Sequence, residues 1–151
     1  MADVQRLDDE MLDSIVVDPR PSNMALRTIG NIESPVAARV VASVLDVFGW
    51  SSLMYLAGGV RDRQGIGKDG SGLQYPGDEL DPWDEAYDDV LVYDPLGEAL
   101  VGLLAFERLV ARYFRALVDG AERIHDPVTR EPWWPEFVAA TEEVERRVSS
   151  G

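Results

Sequence analysis

The spacing of apolar residues along the chain predicts two main amphipathic helices. Val36 to Phe48 places its apolar side chains on one stripe, and Ser34-Pro35 just before it has the residue types of an N-cap and a first helical position. From Glu98 to about Arg123 a second and longer stripe covers a broad face. We therefore expect the longer helix to form the spine of the hydrophobic core.

The longer helix also has a polar face, whose charged residues are left for water or for partners. These residues are Glu107, Arg108, Arg112, Arg115, Asp119 and Glu122. The three arginines are spaced i, i+4 and i+7, so they share one side of the helix. Such a row could bind an anion, but the many acids nearby in the sequence favour ion pairs within the chain, formed with the acidic segment that precedes the helix.

Short apolar runs and helix-breaking residues predict the other elements. We expect a short helix over Leu7 to Val16, strands over Met24 to Ile32, Leu53 to Ala57 and Val90 to Tyr93, and a closing helix over Glu136 to Val148. The prolines of Asp18-Pro-Arg-Pro-Ser-Asn23 predict a turn or linker, and the five glycines between Arg61 and Gly77 predict a mobile loop. The expected fold is α+β, a small and mostly antiparallel sheet packed against two or three helices. We expect a single domain over residues 1–151, with frayed ends at 1–6 and 149–151.

Composition narrows the classes of function. A net charge of −14 over 151 residues repels phosphate backbones and anionic lipid surfaces, so nucleic acid and membrane are poor partners. The chain has no cysteine, which excludes disulfides and thiolate metal ligands. It shows neither a signal-peptide pattern nor an apolar run of roughly 18 residues, so we expect a cytoplasmic protein. Thirteen arginines against one lysine favour a bacterial genome rich in G and C.

Most of the negative charge lies in one stretch. Between Lys68 and Arg108 there are eleven carboxylates and no basic residue. The glycine-rich and acidic region covers residues 61–89, and its last part interleaves acids with Trp83 and Tyr87. We call residues 78–89 the acidic loop. Its composition is typical of a surface that binds a cationic protein, because carboxylates steer the encounter and aromatic side chains anchor the complex.

The predicted partner-binding residues are the acids and aromatics of the acidic loop: Asp78, Glu79, Asp81, Trp83, Asp84, Glu85, Tyr87, Asp88 and Asp89. Trp133 and Trp134 are possible secondary anchors, because two adjacent indoles do not both face one core from regular structure. The sequence thus predicts an acidic protein-binding module, of the kind of a bacterial immunity or antitoxin protein that occludes the active site of a cationic toxin or nuclease. The alternative is a small enzyme or ligand-binding domain that uses the 78–89 carboxylates for a divalent metal or a cationic ligand.

Motifs for other chemistry are incomplete, so we predict no catalytic residue, no cofactor and no metal ligand. Asp84-Glu85-Ala-Tyr-Asp88 matches the metal-binding carboxylate motif of isoprenoid synthases, but those enzymes need a second carboxylate-rich helix. Gly65-x-Gly67-x-x-Gly70 has the letters of a dinucleotide fingerprint without a helix after it. His125, the single histidine, stands in a short acidic turn and is predicted to be a surface residue.

Overall fold

The structure, a computed structural model, describes residues 4–22, 25–29, 36–78, 80–83 and 85–149. The helices are α1 (Asp9–Asp13), α2 (Val36–Val47), α3 (Leu53–Asp62), α4 (Leu103–Arg123) and α5 (Trp134–Ser149). The strands are β1 (Gln5–Leu7), β2 (Val16–Ser22), β3 (Ala25–Ile29), β4 (Ile66–Lys68), β5 (Ser71–Gln74), β6 (Val90–Asp94) and β7 (Gly97–Val101). The predicted α+β class is confirmed, as are the helix that begins near Val36, the closing helix and the strand at Val90.

Five strands form one mixed sheet in the order β1-β7-β6-β5-β4. Neighbouring strands in this sheet run antiparallel, except that β1 and β7 run parallel to each other. Gln5 and Arg6, expected to belong to a frayed end, are paired with β7 in this sheet. β2 and β3 pair with each other in a separate antiparallel ribbon.

The two faces of the main sheet differ. Because side chains alternate along a strand, one cross-strand row points to the core and the next row points away from it. The core row is Ile66, Leu73, Val92 and Ala99, all buried, and α2 packs on this side of the sheet. The row beside it on the outer face is Gly67, Gly72, Tyr93 and Glu98. The candidate site lies on the outer face.

The long helix begins at Leu103 and not near Glu98 as predicted. Residues before it form β7 instead, because Asp94 closes a tight turn in which its Oδ1 accepts hydrogen bonds from the backbone N–H groups of Leu96 (2.7 Å) and Gly97 (3.0 Å). Ala99 and Val101 then alternate into the core with the period of a strand. From Leu103 onward α4 packs against α5 and α1 and supplies the central part of the core, as expected.

The predicted strand over Leu53 to Ala57 is wrong, because these residues form the first part of α3. Leu53, Leu56, Ala57 and Val60 are buried, and this is helical spacing that continues past Gly58-Gly59. The two glycines, interpreted as the end of a strand, lie inside the helix. The partner expected for β6 therefore changes: β6 pairs with β5 and β7.

The proline-containing segment after α1 is a strand, not the predicted turn or linker. β2 pairs with β3 at both of its ends, and its register is irregular between Asp18 and Ser22, where Pro19 and Pro21 lie. Prolines lack the N–H group that a regular ladder needs, so the irregularity accommodates them. The predicted strand from Met24 is found as β3, but Met24 and residues 30–32 lie outside the described residues, as do Ser34 and Pro35.

Much of the glycine-rich segment is a hairpin and not a loop. β4 and β5 are joined by Asp69-Gly70, both with positive φ (54° and 80°). Asp-Gly is a favoured pair in two-residue hairpin turns of this kind, because both positions need the left-handed region. The hairpin forms one side of the candidate site.

No single helix in the described part of the chain is long and apolar enough to cross a membrane. Two helical segments, residues 39–47 and 50–62, together have the length and apolar composition of a membrane span, but the chain bends by 80° between them.

A buried ionic cluster joins the helices. Glu107, expected on the polar face of α4, is 0% exposed and accepts hydrogen bonds from Arg63 Nε (3.0 Å), Arg63 Nη2 (2.7 Å) and Arg147 Nη1 (2.5 Å). Arg147, from α5, also donates to the carbonyl oxygens of Val60 (3.4 Å) and Arg61 (2.7 Å) at the end of α3. One carboxylate and two guanidinium groups therefore connect α3, α4 and α5. We call Arg63, Glu107 and Arg147 the ionic cluster.

We predict that Glu107→Ala lowers the free energy of unfolding by about 1.5–3 kcal/mol, because two arginines lose their shared acceptor but remain 40% and 20% exposed to water. Denaturant unfolding measures the change. Glu122→Ala is the matched control, since Glu122 is an exposed glutamate of the same helix, and we expect a change within about 0.5 kcal/mol. Equal losses for the two variants would contradict a structural role of the ionic cluster.

Candidate functional site: the acidic loop and the outer face of the sheet

The acidic loop connects β5 to β6 without regular secondary structure in its described residues. Of the predicted partner-binding residues, the exposed ones are Asp81, Trp83, Glu85 and Asp88, and the half-buried ones are Asp78, Tyr87 and Asp89. Glu79 and Asp84 lie outside the described residues. The predicted surface is therefore mostly open to solvent where the structure describes it.

Asp78 anchors the start of the loop. Its Oδ2 accepts a hydrogen bond from the backbone N–H of Tyr75 (2.7 Å), and its Oδ1 accepts one from the backbone N–H of Gly65 (3.3 Å). Gly65 has to be glycine here, because a Cβ would lie 2.8 Å from the carbonyl oxygen of Leu73 and would collide with the Asp78 carboxylate. Asp78 thus ties the loop to the residues that lead into β4.

Tyr75 ties the same end of the loop to the core. Its side chain is 2% exposed, and its hydroxyl has no hydrogen-bond partner among the described residues. Burial raises the pKa of the phenol, and the charge of Glu107 raises it further, while Arg147 and Arg63 act in the opposite direction. The ring therefore lies within electrostatic range of the ionic cluster.

The far end of the loop is held by the sheet. Arg6 of β1 pairs with Asp89, and Gln74 Nε2 donates to the carbonyl oxygen of Glu85 (3.1 Å). Within the loop, the Tyr87 hydroxyl donates to Glu85 Oε2 (3.1 Å). The acidic loop is thus held at both ends.

Trp83 stands near the middle of this anchored segment and is 80% exposed. An indole buries a large apolar area when it is covered, so leaving it in water is unfavourable unless a partner covers it. Asp81 and Glu85 lie close to it in sequence and are also exposed. The combination of an exposed indole and carboxylates on a held loop is the main feature of the site.

A pocket of about 740 Å³ opens beside the loop on the outer face of the sheet. Its lining includes Asp78 and Leu80 of the loop, Tyr93 and Glu98 of the sheet, and Tyr55 of α3. The volume is within the roughly 300–1,000 Å³ usual for ligand pockets. Sequence reasoning missed this pocket, because it depends on the β4–β5 hairpin.

The wall formed by Tyr93 depends on two glycines that face each other in β4 and β5. Tyr93 pairs with Gly72, which pairs with Gly67. A Cβ on Gly72 would lie 2.6 Å from the Tyr93 hydroxyl oxygen, so the phenol can lie across these strands only because both positions lack a side chain. At the outer strand, the Tyr55 hydroxyl accepts from the backbone N–H of Gly67 (3.3 Å).

A second hollow of about 990 Å³ lies between α1, α4 and α5, and its lining includes Arg108, Arg112 and Arg115 of α4. Arg108 pairs with Asp13 (3.0 Å) and lowers the pKa of that carboxyl group, and Arg115 pairs with Glu145 (2.6 Å). Arg112 donates to carbonyl oxygens at the end of α1 (2.7 and 3.1 Å). The predicted use of this row in contacts within the chain is confirmed, but the partners belong to α1 and α5 and not to the acidic segment before the helix.

The two adjacent tryptophans, Trp133 and Trp134, differ in how deeply they are buried. Trp134 is 5% exposed and its ring centroid lies 5.4 Å from that of Phe137, so it belongs to the core. Trp133 is half-buried and packs on the same Phe137 ring at 6.3 Å. Neither indole is presented to solvent as Trp83 is.

The described residues form no site for metal binding or dinucleotide binding. They contain no group of three or more His, Asp or Glu side chains that could hold a metal ion, although Asp84 lies outside them. The Gly65 to Gly70 motif runs into the β4–β5 hairpin and is not followed by a helix, so it lacks the context of a dinucleotide site. His125 is exposed, just after α4 ends.

Comparison with models of known protein families finds no match, and comparisons with curated proteins and with solved structures find none either. The functional argument therefore rests on the residues of this chain.

We predict that Asp78→Ala releases the start of the acidic loop. The backbone N–H groups of Tyr75 and Gly65 lose their acceptor, which should cost about 1–2 kcal/mol of stability. Their amide hydrogen exchange should accelerate, and a protease should cut the loop faster. Asp88→Ala is the control, because Asp88 is exposed and makes no hydrogen bond with a described residue. Similar exchange and cleavage rates in the two variants would show that Asp78 is not an anchor.

Proposed function

We propose that this chain is an acidic protein-binding module of the immunity or antitoxin type, which uses the acidic loop to occlude the active site of a cationic toxin or nuclease. The observation that carries the proposal is Trp83, which is 80% exposed on a carboxylate-rich loop that is held at both ends. A held loop loses less conformational freedom on binding than a free one, so more of the contact energy is available as affinity.

The charge of the loop matches the kind of partner proposed. Nuclease sites are cationic because they bind phosphate, so clustered carboxylates accelerate the encounter by long-range attraction. Within the described part of the loop, Asp89 pairs with Arg6, whereas Glu85 and Asp88 face solvent without an ion pair. Their charge remains available to a partner.

Four substitutions test the role of the charge: Asp81→Asn, Asp84→Asn, Glu85→Gln and Asp88→Asn. They leave Asp78 and Asp89, which hold the loop. Proteins captured from the native host by the wild-type chain are purified, and their association rates are measured at several salt concentrations. We expect the fourfold variant to associate at least about tenfold more slowly at low salt, with a flatter salt dependence, and to inhibit the partner less.

The matched control removes four exposed carboxylates elsewhere, with Glu10, Glu122, Glu131 and Glu142 changed to Gln. It has the same net charge as the loop variant, so an equal slowing would show that overall charge, and not the acidic loop, drives association. Unchanged rates in both variants would contradict the proposal. A thermal transition raised strongly by Ca²⁺, Mg²⁺ or Mn²⁺ would favour the metal-binding alternative, because a bound ion stabilises the folded state by mass action.

We predict that Trp83→Ala weakens partner binding by about 2 kcal/mol or more without changing stability by more than about 0.5 kcal/mol. The reason is that the exposed indole contributes little to the core and would be covered in the complex. Leu96→Ala is the control, because Leu96 is an apolar residue that is 87% exposed and lies in the turn between β6 and β7. Calorimetric titration with the captured partner measures the difference, and equal affinity of all three proteins would rule out Trp83 as an anchor.

A further inference from the structure

We propose that the pocket on the outer face of the sheet binds a guanidinium group, in the complex the side chain of an arginine of the cationic partner. This inference rests on the proposed function and adds a specific contact to it. The pocket shares Asp78 and Leu80 with the acidic loop, so a partner covering the loop also covers the pocket.

The charges around the pocket select for a cation. Its lining residues include two carboxylates, Asp78 and Glu98, and no Lys or Arg. The side chain of Glu98 is exposed and makes no hydrogen bond or ion pair with another described residue. Asp78 uses two acceptor positions for backbone N–H groups, and a carboxylate offers about four. Both groups can therefore accept hydrogen bonds from a ligand.

The remaining lining favours arginine over a compact ammonium group. Leu80 and Leu91 provide apolar surface for the methylene stem, and Tyr55 and Tyr93 add aromatic rings. A guanidinium group is planar, stacks on aromatic rings and carries five N–H donors that diverge in one plane. The side chains of Gln74 and Glu98, which also line the pocket, carry hydrogen-bond acceptors. A planar guanidinium group, with its five N–H donors, can form more hydrogen bonds with them than the ammonium group of a lysine can.

A titration with N-acetyl-arginine amide, followed by ¹H–¹⁵N NMR, tests the pocket without the partner. We expect saturable shifts at the backbone amides of Gly67, Tyr93 and Glu98. N-acetyl-citrulline amide has nearly the same shape but no charge, and it should bind at least about fivefold more weakly. Glu98→Gln should weaken the arginine compound about two- to fivefold, as expected for the loss of one partly exposed ion pair.

Glu122→Gln is the matched control, because it removes the same charge from an exposed position on α4, and its affinity should equal that of the wild type. Equal binding of the citrulline compound, equal weakening by Glu98→Gln and Glu122→Gln, or no saturable shift at the pocket would each overturn the inference. These results are independent of the proposed function. If arginine amide binds as expected but the loop variants keep normal association with a partner, the proposed function fails while the pocket stands.

Discussion

The buried carboxylate of Glu107 is the contact on which the arrangement of α3, α4 and α5 depends. A charge taken out of water costs several kcal/mol unless well-placed donors replace the water, and here three N–H groups do so. The side chains of Arg63 and Arg147 remain 40% and 20% exposed, so both cations keep part of their hydration. We therefore expect the ionic cluster to stabilise the fold little more than three well-packed apolar side chains at the same positions would. We infer that the contact mainly favours this packing over others, because a packing that buried Glu107 away from Arg63 and Arg147 would leave its charge without donors.

The same contact explains the backbone at the end of α3. Arg63 has a φ of 53°, in the left-handed region where a residue with a Cβ is disfavoured by about 1–2 kcal/mol and glycine is usual. Glycine would relieve that cost but would remove the guanidinium group that binds Glu107. From Arg63 the chain turns into Gly65, whose N–H group holds Asp78, while the buried ring of Tyr75 lies near the cluster. The residues that hold the start of the acidic loop thus lie close to the ionic cluster.

Sequence patterns predicted the α+β class, the helix near Val36 and the strand at Val90, because strong local periodicity marks each of them. The predictions were wrong where a local pattern was compatible with two structures. Leu53 to Ala57 is too short to distinguish a strand from a helix, and only the spacing through Val60 shows the helix. Glu107 was assigned to the polar face by its charge, although its i−4, i+3 and i+7 neighbours, Leu103, Val110 and Phe114, are apolar. The acids of the loop were evident from the sequence, whereas the pocket beside them requires the pairing of Gly67, Gly72 and Tyr93, which joins distant segments.

The distribution of ion pairs also explains how a chain with few basic residues keeps a strongly negative loop. Several arginines of the helical half are used inside the fold: Arg108 and Arg115 pair with acids of α1 and α5, and Arg147 with Glu107. Arg6 pairs with the acidic loop at its last residue, where the pairing holds the segment in place. Glu85 and Asp88 of the loop are exposed and make no ion pair with a described residue. Such charges mainly set the rate of encounter, while discrimination among basic proteins needs a contact that depends on shape. Under the proposed function, the pocket between Tyr93 and Glu98 would supply that shape beside the loop, so the charges that attract the partner and the contact that selects it would lie on one face of the sheet.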